Sequence, residues 1–571
     1  MDRNGAAVRV KRGTSRQVDK RHGIPLSTCL LVIPLAFLAV FYFYPLAAIT
    51  RLSLAPRGTL EPGGLATLFS SPYYVRTLWF TLWQALASTA LTLIAGLPAA
   101  FVFARYEFPG KSLLRSLTTI PFVLPTVVVA AAFSSLVGPT GPLNLVLMHL
   151  LRLDRPPIQL LGTIWMILLA HVFYNYTVVL RIVGSFWANL DPALENAAAV
   201  LGARRTRRFL EITLPLLAPA IAAAALLVFI FDFTSFGVVL ILGGTQFATL
   251  EVEIYRQTVN LFNLPMAAAL SLIQIVCTLA LTAIYTRLQA RTARPLKLRP
   301  QSVTQHRPAT FRSRALVSAN VIFMALLLAT PLLALVARAA GQGLQPLAEL
   351  FVNRRGSYFY VPPVVAIRNS LLVACLTVVA SLVLGFIAAN YIARRTGRWA
   401  AVLDPVFMLP LGTSAVTLGL GYIIALDRPP LDLRASPALL PLAHTLVAFP
   451  FVVRSLLPVL RGIQPSLRKA AAVMGASPWQ VWRQVDLAIV GRAMLVAAAF
   501  AFAISMGEFG ATALVARPEF PTMPVVIYRF LGQPGALNYG QALAMSSLLM
   551  LVCAAGIVLI ERVRVGEVGE F

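Results

Sequence analysis

Long apolar stretches alternate with short polar connections along almost the whole chain. Each stretch has few or no charges over about 20 or more residues, the length that a helix needs to cross the hydrocarbon core of a bilayer. Twelve such stretches are predicted to be transmembrane helices, at approximately 26–50, 77–104, 113–137, 158–182, 214–242, 264–286, 315–337, 366–393, 399–426, 435–458, 490–514 and 537–560. The pattern therefore predicts an all-α polytopic membrane protein with about 12 transmembrane helices.

The second six stretches repeat the first six. Positions that match across the two sets lie 273 residues apart, or 289 near the start of each half. The matched pairs are Gly202 and Gly475, His171 and His444, Arg181 and Arg454, Arg105 and Arg394, and Gly96 and Gly385. Because six spans return the chain to the same side, the halves 26–286 and 315–561 are predicted to form a parallel repeat about an axis along the membrane normal.

Positive charge is distributed unevenly among the connections. The 571 residues include 48 Lys and Arg against 21 Asp and Glu, a net charge of +27. When the N-terminus is placed in the cytoplasm, all five lysines and most arginines fall on the cytoplasmic side, as the positive-inside rule requires. The rule predicts a cytoplasmic N-tail at 1–25, a flexible cytoplasmic linker at 287–314 and a cytoplasmic C-tail at 562–571. The charge thus reflects membrane orientation, and no nucleic-acid partner is predicted.

One cytoplasmic connection in each half is amphipathic and contains a repeated motif. It covers 188–215 in the first half and 461–488 in the second, and each copy has three alanines followed by a glycine. Small side chains let another surface approach a helix backbone, and glycine permits a sharp turn. The first copy continues with four arginines and the second with Trp479 and Trp482. These residues fit a protein-docking surface or a lipid-facing belt, and the duplication favours docking because lipid contact does not require one motif to recur.

Both connections resemble the EAA loops of ATP-binding-cassette importer permeases, whose pattern is Glu-Ala-Ala, three residues, Gly, nine residues, then Ile-x-Leu-Pro. The matching residues are Ala197, Ala198, Gly202, Ile212, Leu214 and Pro215 in the first copy and Ala470, Ala471, Gly475 and Leu487 in the second. The usual glutamate is replaced by Asn196, which follows Glu195, and by Lys469. The second copy also lacks the closing proline, since Ala488 stands there.

The resemblance implies a type I importer permease of a bacterial inner membrane. It implies that each loop forms a short coupling helix seated on one of two cytoplasmic ATPase subunits, which bind ATP and Mg²⁺, and that an extracytoplasmic binding protein delivers the substrate. This chain would hold no cofactor and would be a transport subunit, not an enzyme. The residues implied in coupling are Glu195, Ala197, Ala198, Gly202, Pro215, Lys469, Ala470, Ala471 and Gly475.

Three other strings resemble one substrate class within that family. The strings at 231–244, 251–255 and 505–514 look most like those of fused, two-half thiamine-transport permeases. Fused ferric-iron permeases share the architecture, and sulfate and molybdate permeases share the Gly-Glu-Phe-Gly-Ala string. The resemblance implies thiamine as the substrate, with ferric iron as the alternative.

Two short motifs resemble sites of other protein classes. Gly110-Lys111-Ser112 matches the end of a phosphate-binding loop, but Arg105 stands where the first glycine is required and no strand is predicted before it. Nucleotide binding is therefore not predicted. The basic string at 393–398 resembles a loop of major-facilitator carriers, and a twelve-helix secondary carrier is the alternative from another class. The acidic residue expected in that loop is absent, and a carrier does not explain the duplicated motif.

Two carboxylates, Asp232 and Glu508, lie inside the predicted fifth span of each half. A carboxylate there costs roughly 2.5–3.5 kcal/mol on insertion scales, so it needs water, a partner or a proton. One interpretation is a translocation path for a cation, with Phe233, Phe236 and Phe509 stacking on the substrate. The other interpretation is structural: each carboxylate pairs with an interior arginine or caps a broken helix, and the rings are packing residues.

Histidines and cysteines show no pattern of a metal or catalytic site. His171 and His444 are matched across the repeat and are predicted to be structural hydrogen-bonding residues. The four cysteines lie in apolar stretches without CxxC spacing, so neither a disulfide nor a metal site is predicted. No nucleophile–base arrangement predicts an intramembrane enzyme.

Overall fold

The computed structural model describes residues 29–56, 58–59, 63–244, 246–292, 305–353, 361–394, 398–427, 429 and 431–564. Within these ranges the chain is helical, and the extended contacts consist of one isolated bridge between Tyr106 and His306. The predicted N-tail at 1–25 lies outside the described residues, as does most of the C-tail. The all-α class is confirmed.

Eleven helices in the described part of the chain are long and apolar enough to cross a membrane, and a bent pair makes a possible twelfth. They are Val32–Leu54, Pro72–Arg105, Thr126–Leu151, Ile164–Ala188, Arg205–Phe233, Leu264–Leu288, Phe311–Gly341, Val365–Arg394, the pair Val402–Gly412 and Ala415–Ala425, Leu439–Gly462, Trp479–Gly507 and Ala536–Gly556. The predicted number of spans therefore agrees with the structure.

Shorter helices occupy the connections. They are Gly63–Ser70, Lys111–Leu117, Thr119–Val123, Pro192–Val200, Gly237–Leu242, Leu250–Tyr255, Gln345–Ala348, Pro465–Val473, Gly510–Val515 and Met523–Leu531. Several come in pairs at the repeat spacing, as expected if the two halves share one fold.

The third segment of each half is broken where the apolar pattern predicts one span. In the second half its two helices meet at 94°, and the Ser414 hydroxyl caps the second helix by accepting from the backbone N–H of Val416 at 3.1 Å. Pro125 occupies the matching position in the first half and lacks an N–H, so the helix ends before it. The predicted span 113–137 was wrong, because the apolar helix candidate there is Thr126–Leu151.

The fifth span of each half starts and ends earlier than predicted. The helices are Arg205–Phe233 and Trp479–Gly507, in place of 214–242 and 490–514. A break and a short second helix follow each of them. The repeated connections are correspondingly shorter than 188–215 and 461–488, because their second parts are the first turns of the fifth helices.

The first span of each half packs against the other half. The Tyr42 hydroxyl lies 2.7 Å from Thr413 Oγ1, at the break in the third segment of the second half. Reciprocally, Arg338 at the end of the seventh helix donates to the backbone oxygen of Ser135 in the first half at 3.2 Å. The halves are thus interlocked, and the third segments of both halves contact the opposite half.

The end of the predicted linker at 287–314 is held against the first half. The His306 N–H donates to Arg105 O at 3.1 Å, and Glu107 N–H donates to His306 O at the same distance. Lys111 Nζ donates to Gln305 Oε1 at 2.8 Å. The end of the linker, which was predicted to be flexible, thus contacts the first half, and Lys111 takes part in this contact. Residues 293–304 lie outside the described part.

Candidate functional site

Each repeated connection begins with a short helix that ends two residues before its glycine. We call Pro192–Val200 the first loop helix and Pro465–Val473 the second loop helix. Gly202 and Gly475 have φ angles of +80° and +86°, in the left-handed region that favours glycine. The residue after each glycine donates back to the helix, Ala203 N–H to Ala198 O at 2.9 Å in the first loop and the matching bond at 3.1 Å in the second. This is the Schellman pattern of helix termination, formed twice.

The tip of each loop presents two apolar side chains to solvent. Val200 and Leu201 are 88% and 86% exposed in the first loop, and Val473 and Met474 are 87% and 83% exposed in the second. These residues lie outside the helices that qualify as membrane spans. Adjacent exposed apolar residues outside the membrane are typical of a surface that binds another protein.

The predicted coupling residues divide between two faces of the loop helices. Ala197 and Ala470 are exposed, Ala198 and Ala471 are partly exposed, and Lys469 is exposed like its match Asn196. Glu195 is one residue earlier and therefore rotated by about 100° around the helix, toward the protein. Pro215 is exposed but belongs to the fifth span, not to the loop.

Glu195 joins the first loop helix to two membrane helices. Its Oε1 atom lies 2.7 Å from Arg105 Nη2, at the end of the second span, and accepts a hydrogen bond from Thr213 Oγ1 at 2.8 Å. Thr213 is buried at the start of the fifth span. We call these three residues the first clamp. Because the carboxylate binds this chain's own helices, the geometry does not support a direct contact with an ATPase.

The matching positions of the second half form a second clamp, of Arg394, Arg468 and Asp486. Asp486 Oδ1 lies 2.7 Å from Arg468 Nε on the loop helix, and its Oδ2 lies 3.0 Å from Arg394 Nη2 at the end of the eighth helix. The Asp486 side chain is only 4% exposed. Sequence reasoning matched Arg105 with Arg394 but missed their partners, because the carboxylate occupies a different position in each half.

Glu508 caps the short helix that follows the fifth span of the second half. Its carboxylate accepts from the backbone N–H groups of Ala511 at 2.8 Å and Thr512 at 3.0 Å, and also from the Thr512 hydroxyl. The same carboxylate lies 3.3 Å from His444 Nε2. A helix start leaves backbone donors without intrahelical acceptors, and these bonds satisfy two of them. The interpretation of Glu508 as a cap is confirmed.

Asp232 is buried within the first half and, like Glu508, lies beside a histidine. Its Oδ1 accepts from Asn175 Nδ2 at 2.7 Å and lies 3.5 Å from His171 Nδ1. The neighbouring Phe233 is fully buried and stacks on Phe229, with ring centroids 6.0 Å apart. Asp232 and Phe233 are therefore engaged inside their own half, and the arginine partner considered for the carboxylate is replaced by asparagine and histidine.

Both histidines are hydrogen-bonded on both ring nitrogens, which confirms the structural prediction. His171 lies 2.9 Å from Ser88 Oγ and 2.8 Å from Ser235 Oγ. His444 lies 2.8 Å from both Ser505 Oγ and Thr512 Oγ1. Each ring thereby links its own span to the broken fifth segment.

Four aromatic rings form a row across the boundary between the halves. Phe236 and Phe509, which match in the repeat, stack with centroids 5.4 Å apart and planes at 24°. Tyr255 contacts Phe236 and Tyr528 contacts Phe509, each at 5.4 Å and with nearly equal interplanar angles of 55° and 57°. Tyr255 and Tyr528 are also 273 positions apart. This aromatic row has the symmetry of the repeat, so two of the predicted path residues meet on the axis between the halves.

Glu251 joins the halves and was not singled out as a site residue by sequence reasoning. It is fully buried, accepts a hydrogen bond from Ser414 Oγ of the other half, and accepts from Gln274 Nε2 at 3.0 Å. It lies in the connection between two predicted spans, beside Glu253 and Arg256, so its position did not distinguish it, and its partners lie on separate helices. It connects the helix Leu250–Tyr255 to the break in the other half's third segment.

Comparison with known proteins finds similarity to one kind of transport protein. Residues 92–294 match the model described as the inner membrane component of binding-protein-dependent transport systems. The chain is 27% identical over 507 residues to the thiamine transport system permease protein ThiP of Escherichia coli, covering 87% of this chain and 90% of that protein. The chain is thus similar to permeases of this kind, in its first half by the family model and along most of its length by ThiP. Its identity to the Brucella abortus thiamine transport system permease protein ThiP is 29% over 537 residues, 92% of this chain and 94% of that one.

The permease is therefore a transport subunit of an ATP-binding-cassette importer and crosses the inner membrane several times. The secondary-carrier alternative is set aside, because the relatives match both halves and belong to this importer class. A solved bacterial ABC transporter involved in alginate import is 19% identical, covering 47% of this chain and 96% of that chain with a TM-score of 0.39.

Proposed function

We propose that this permease forms the path by which thiamine is imported. The observation that carries the proposal is the similarity to thiamine transport permeases along 87% and 92% of this chain. The strings at 231–244, 251–255 and 505–514 support the same substrate.

In this proposal the two loop helices dock on two cytoplasmic ATPase subunits. The exposed apolar pairs at the loop tips support docking, and the exposed Ala197 and Ala470 beside them leave room for a groove to close on the helix backbone. The excess of basic residues supports a cytoplasmic position for both loops and both termini. ATP and Mg²⁺ would be bound by the ATPases, and this chain would hold no cofactor. The family's description supports an extracytoplasmic binding protein as the third partner.

The path would run between the halves, and the aromatic row would close it. Approach of the ATPases would draw the loop helices together and rock one half against the other, which is alternating access. Phe236 and Phe509 would separate as the halves move, exposing ring faces that can stack on an aromatic cation such as thiamine. Asp232 and Glu508 would hold the broken fifth segments in shape without touching the substrate.

The test is ATP hydrolysis by the complete complex in proteoliposomes, with the permease, its ATPase subunits and its binding protein. Binding protein loaded with thiamine is compared with binding protein offered ferric iron and with unloaded protein. We expect thiamine to stimulate hydrolysis and to appear inside the vesicles when the binding protein is outside. Stimulation by ferric iron and not by thiamine would establish the alternative substrate and contradict the proposal.

A further inference from the structure

Each clamp contains one carboxylate, but the two carboxylates lie on different helices. In the first half Glu195 is on the loop helix and Thr213 is on the fifth span. In the second half the loop helix carries Arg468 and the fifth span carries Asp486. Glu195 matches Arg468 and Thr213 matches Asp486 at the repeat spacing of 273, so the carboxylate lies on a different helix in each half, while the arginine of the second span is present in both.

Both arrangements tie the same three helices together. In each half, one carboxylate connects the loop helix, the start of the fifth span and the arginine at the end of the second span of that half, Arg105 or Arg394. Hydrogen bonds between charged groups are roughly twice as strong as neutral ones, so these contacts are the firm part of the connection. The recurrence of the connection with exchanged residues indicates that the tie itself matters, not the residue at one position.

The first loop helix has little else to hold it in place. None of its nine residues from Pro192 to Val200 is buried, so apolar packing contributes little. A force applied at the exposed tip, Val200 and Leu201, would swing an untied helix about its ends. With Glu195 bound to Arg105 and Thr213, the same force acts on the second and fifth spans directly.

We propose that the two clamps are positioning elements that transmit movement of the loop helices to the second and fifth spans of each half. The inference rests on the proposed function, since it assumes that ATPases act on the loop tips. It assigns Arg105, Glu195 and Thr213, with Arg394, Arg468 and Asp486, to coupling through this chain's own helices.

The test transplants the second arrangement into the first half of the reconstituted complex. Glu195→Arg alone places two arginines together without a carboxylate, and we expect the amount of thiamine imported per ATP to fall about tenfold, the size expected from losing one charge-assisted hydrogen bond. Glu195→Arg combined with Thr213→Asp recreates the second clamp. The double variant is expected to return to within about twofold of the wild type, a factor smaller than one neutral hydrogen bond contributes.

Asp427→Arg provides a matched control. Asp427 pairs with Arg434 at 3.0 Å in the connection before the tenth helix, and both side chains are about half exposed. This variant makes the same change of charge outside the clamps and is expected to keep wild-type coupling. Size-exclusion chromatography checks assembly of every variant. If Glu195→Arg does not assemble, Glu195→Gln keeps an acceptor without the charge, and import per ATP is expected to fall about threefold because the remaining bond is neutral.

Wild-type coupling in the assembled single variant, or a double variant no better than the single one, would overturn the clamp proposal. A purely local stabilising role would change assembly or melting temperature and leave import per ATP unchanged. Failure of the proposed function is recognised separately, in the wild-type complex, as a lack of stimulation by thiamine. In that case the basal rate of ATP hydrolysis is compared between the single and the double variant, and this comparison still tests the clamp proposal.

Discussion

The two loops share one backbone and differ in the side chains around it. Both loop helices end in the same pair of hydrogen bonds at a glycine with positive φ. The fifth span that follows each loop helix contains a π-helical turn near its start, Phe209–Thr213 or Trp482–Asp486. Pro215 follows the first turn, but Ala488 stands at the matching position, so proline does not explain the π-helical geometry.

The exposed surfaces of the loops are much less alike. The first loop continues with arginines, whereas the second presents Trp479, 63% exposed and stacked on Trp482 with centroids 4.6 Å apart. The backbone hydrogen bonds of the turn are thus present in both halves, whereas the exposed side chains that follow the turn differ. If both loops dock on copies of one ATPase, the two contacts are expected to be unequal.

The largest expected effect comes from breaking the shared turn. Gly202→Val and Gly475→Val each force a β-branched residue into left-handed backbone, which costs about 1–2 kcal/mol or more and favours another loop shape. We expect import to decrease in both variants while ATP hydrolysis continues. The decrease is expected to be greater for Gly202→Val, because the first loop is closer to the family pattern. Import and ATP hydrolysis are measured on the same proteoliposomes.

Gly491→Val serves as the control for that pair. Gly491 lies in helical backbone, and a Cβ atom there meets nothing within 4 Å, so import is expected to stay near the wild-type level. Equal and normal import in both loop variants would show that the turn is not needed for coupling. A greater loss at Gly475 would reverse the order expected of the two loops.

The next effect tests the symmetry of the aromatic row. Phe236→Ala and Phe509→Ala each remove one ring of the stacked pair. Each variant loses an aromatic contact of about 1 kcal/mol, and we expect this loss to be equal in the two halves. We expect each variant to raise thiamine leakage from loaded vesicles without ATP by a similar factor, and the double variant to raise it more. Phe233→Ala, at a ring buried within one half, is the control for loss of packing alone.

Leakage that stays at the wild-type level in the double variant would show that the row does not close the path. Clearly different leakage in the two single variants would show that the symmetry of the rings is not a symmetry of function.

The smallest effect distinguishes the two buried carboxylates. Glu508→Gln loses one acceptor of a helix cap and is expected to lower stability by about 1 kcal/mol, the usual size of a cap. Asp232→Asn is expected to cost less, because its Oδ1 keeps the role of acceptor from Asn175 and its Oδ2 has no partner among the described contacts. Melting temperature of the purified complex measures both.

Uptake of thiamine by the same two variants shows whether the carboxylates are structural or belong to a cation path. If the carboxylates are structural, uptake follows the fraction of folded complex. A fall in uptake with unchanged melting temperature would restore the interpretation of Asp232 and Glu508 as part of a cation path.

Local features explain which parts of the fold could be predicted. The lengths of the apolar stretches and the turns at Gly202 and Gly475 follow from neighbouring residues, and the repeat follows from matching one half of the sequence to the other. The break near Pro125 was missed because a break inside an apolar stretch leaves its hydropathy unchanged, whereas a broken helix near Glu508 was one of the two interpretations of that carboxylate. The second parts of the loops were assigned to connections for a related reason, since a helix can begin with polar residues before it enters the membrane.

The sequence by itself determined the helical class, the duplication and the two exposed loops, because these depend on apolar length, repeated spacing and the backbone freedom of glycine. Only the tertiary structure decided that Glu195 turns inward to Arg105, that Asp486 replaces it in the second half, and that Phe236 meets Phe509. These contacts join residues roughly 90 to 273 positions apart on separate helices. Their geometry depends on how the helices pack, and a pattern of apolar and polar positions does not contain that information.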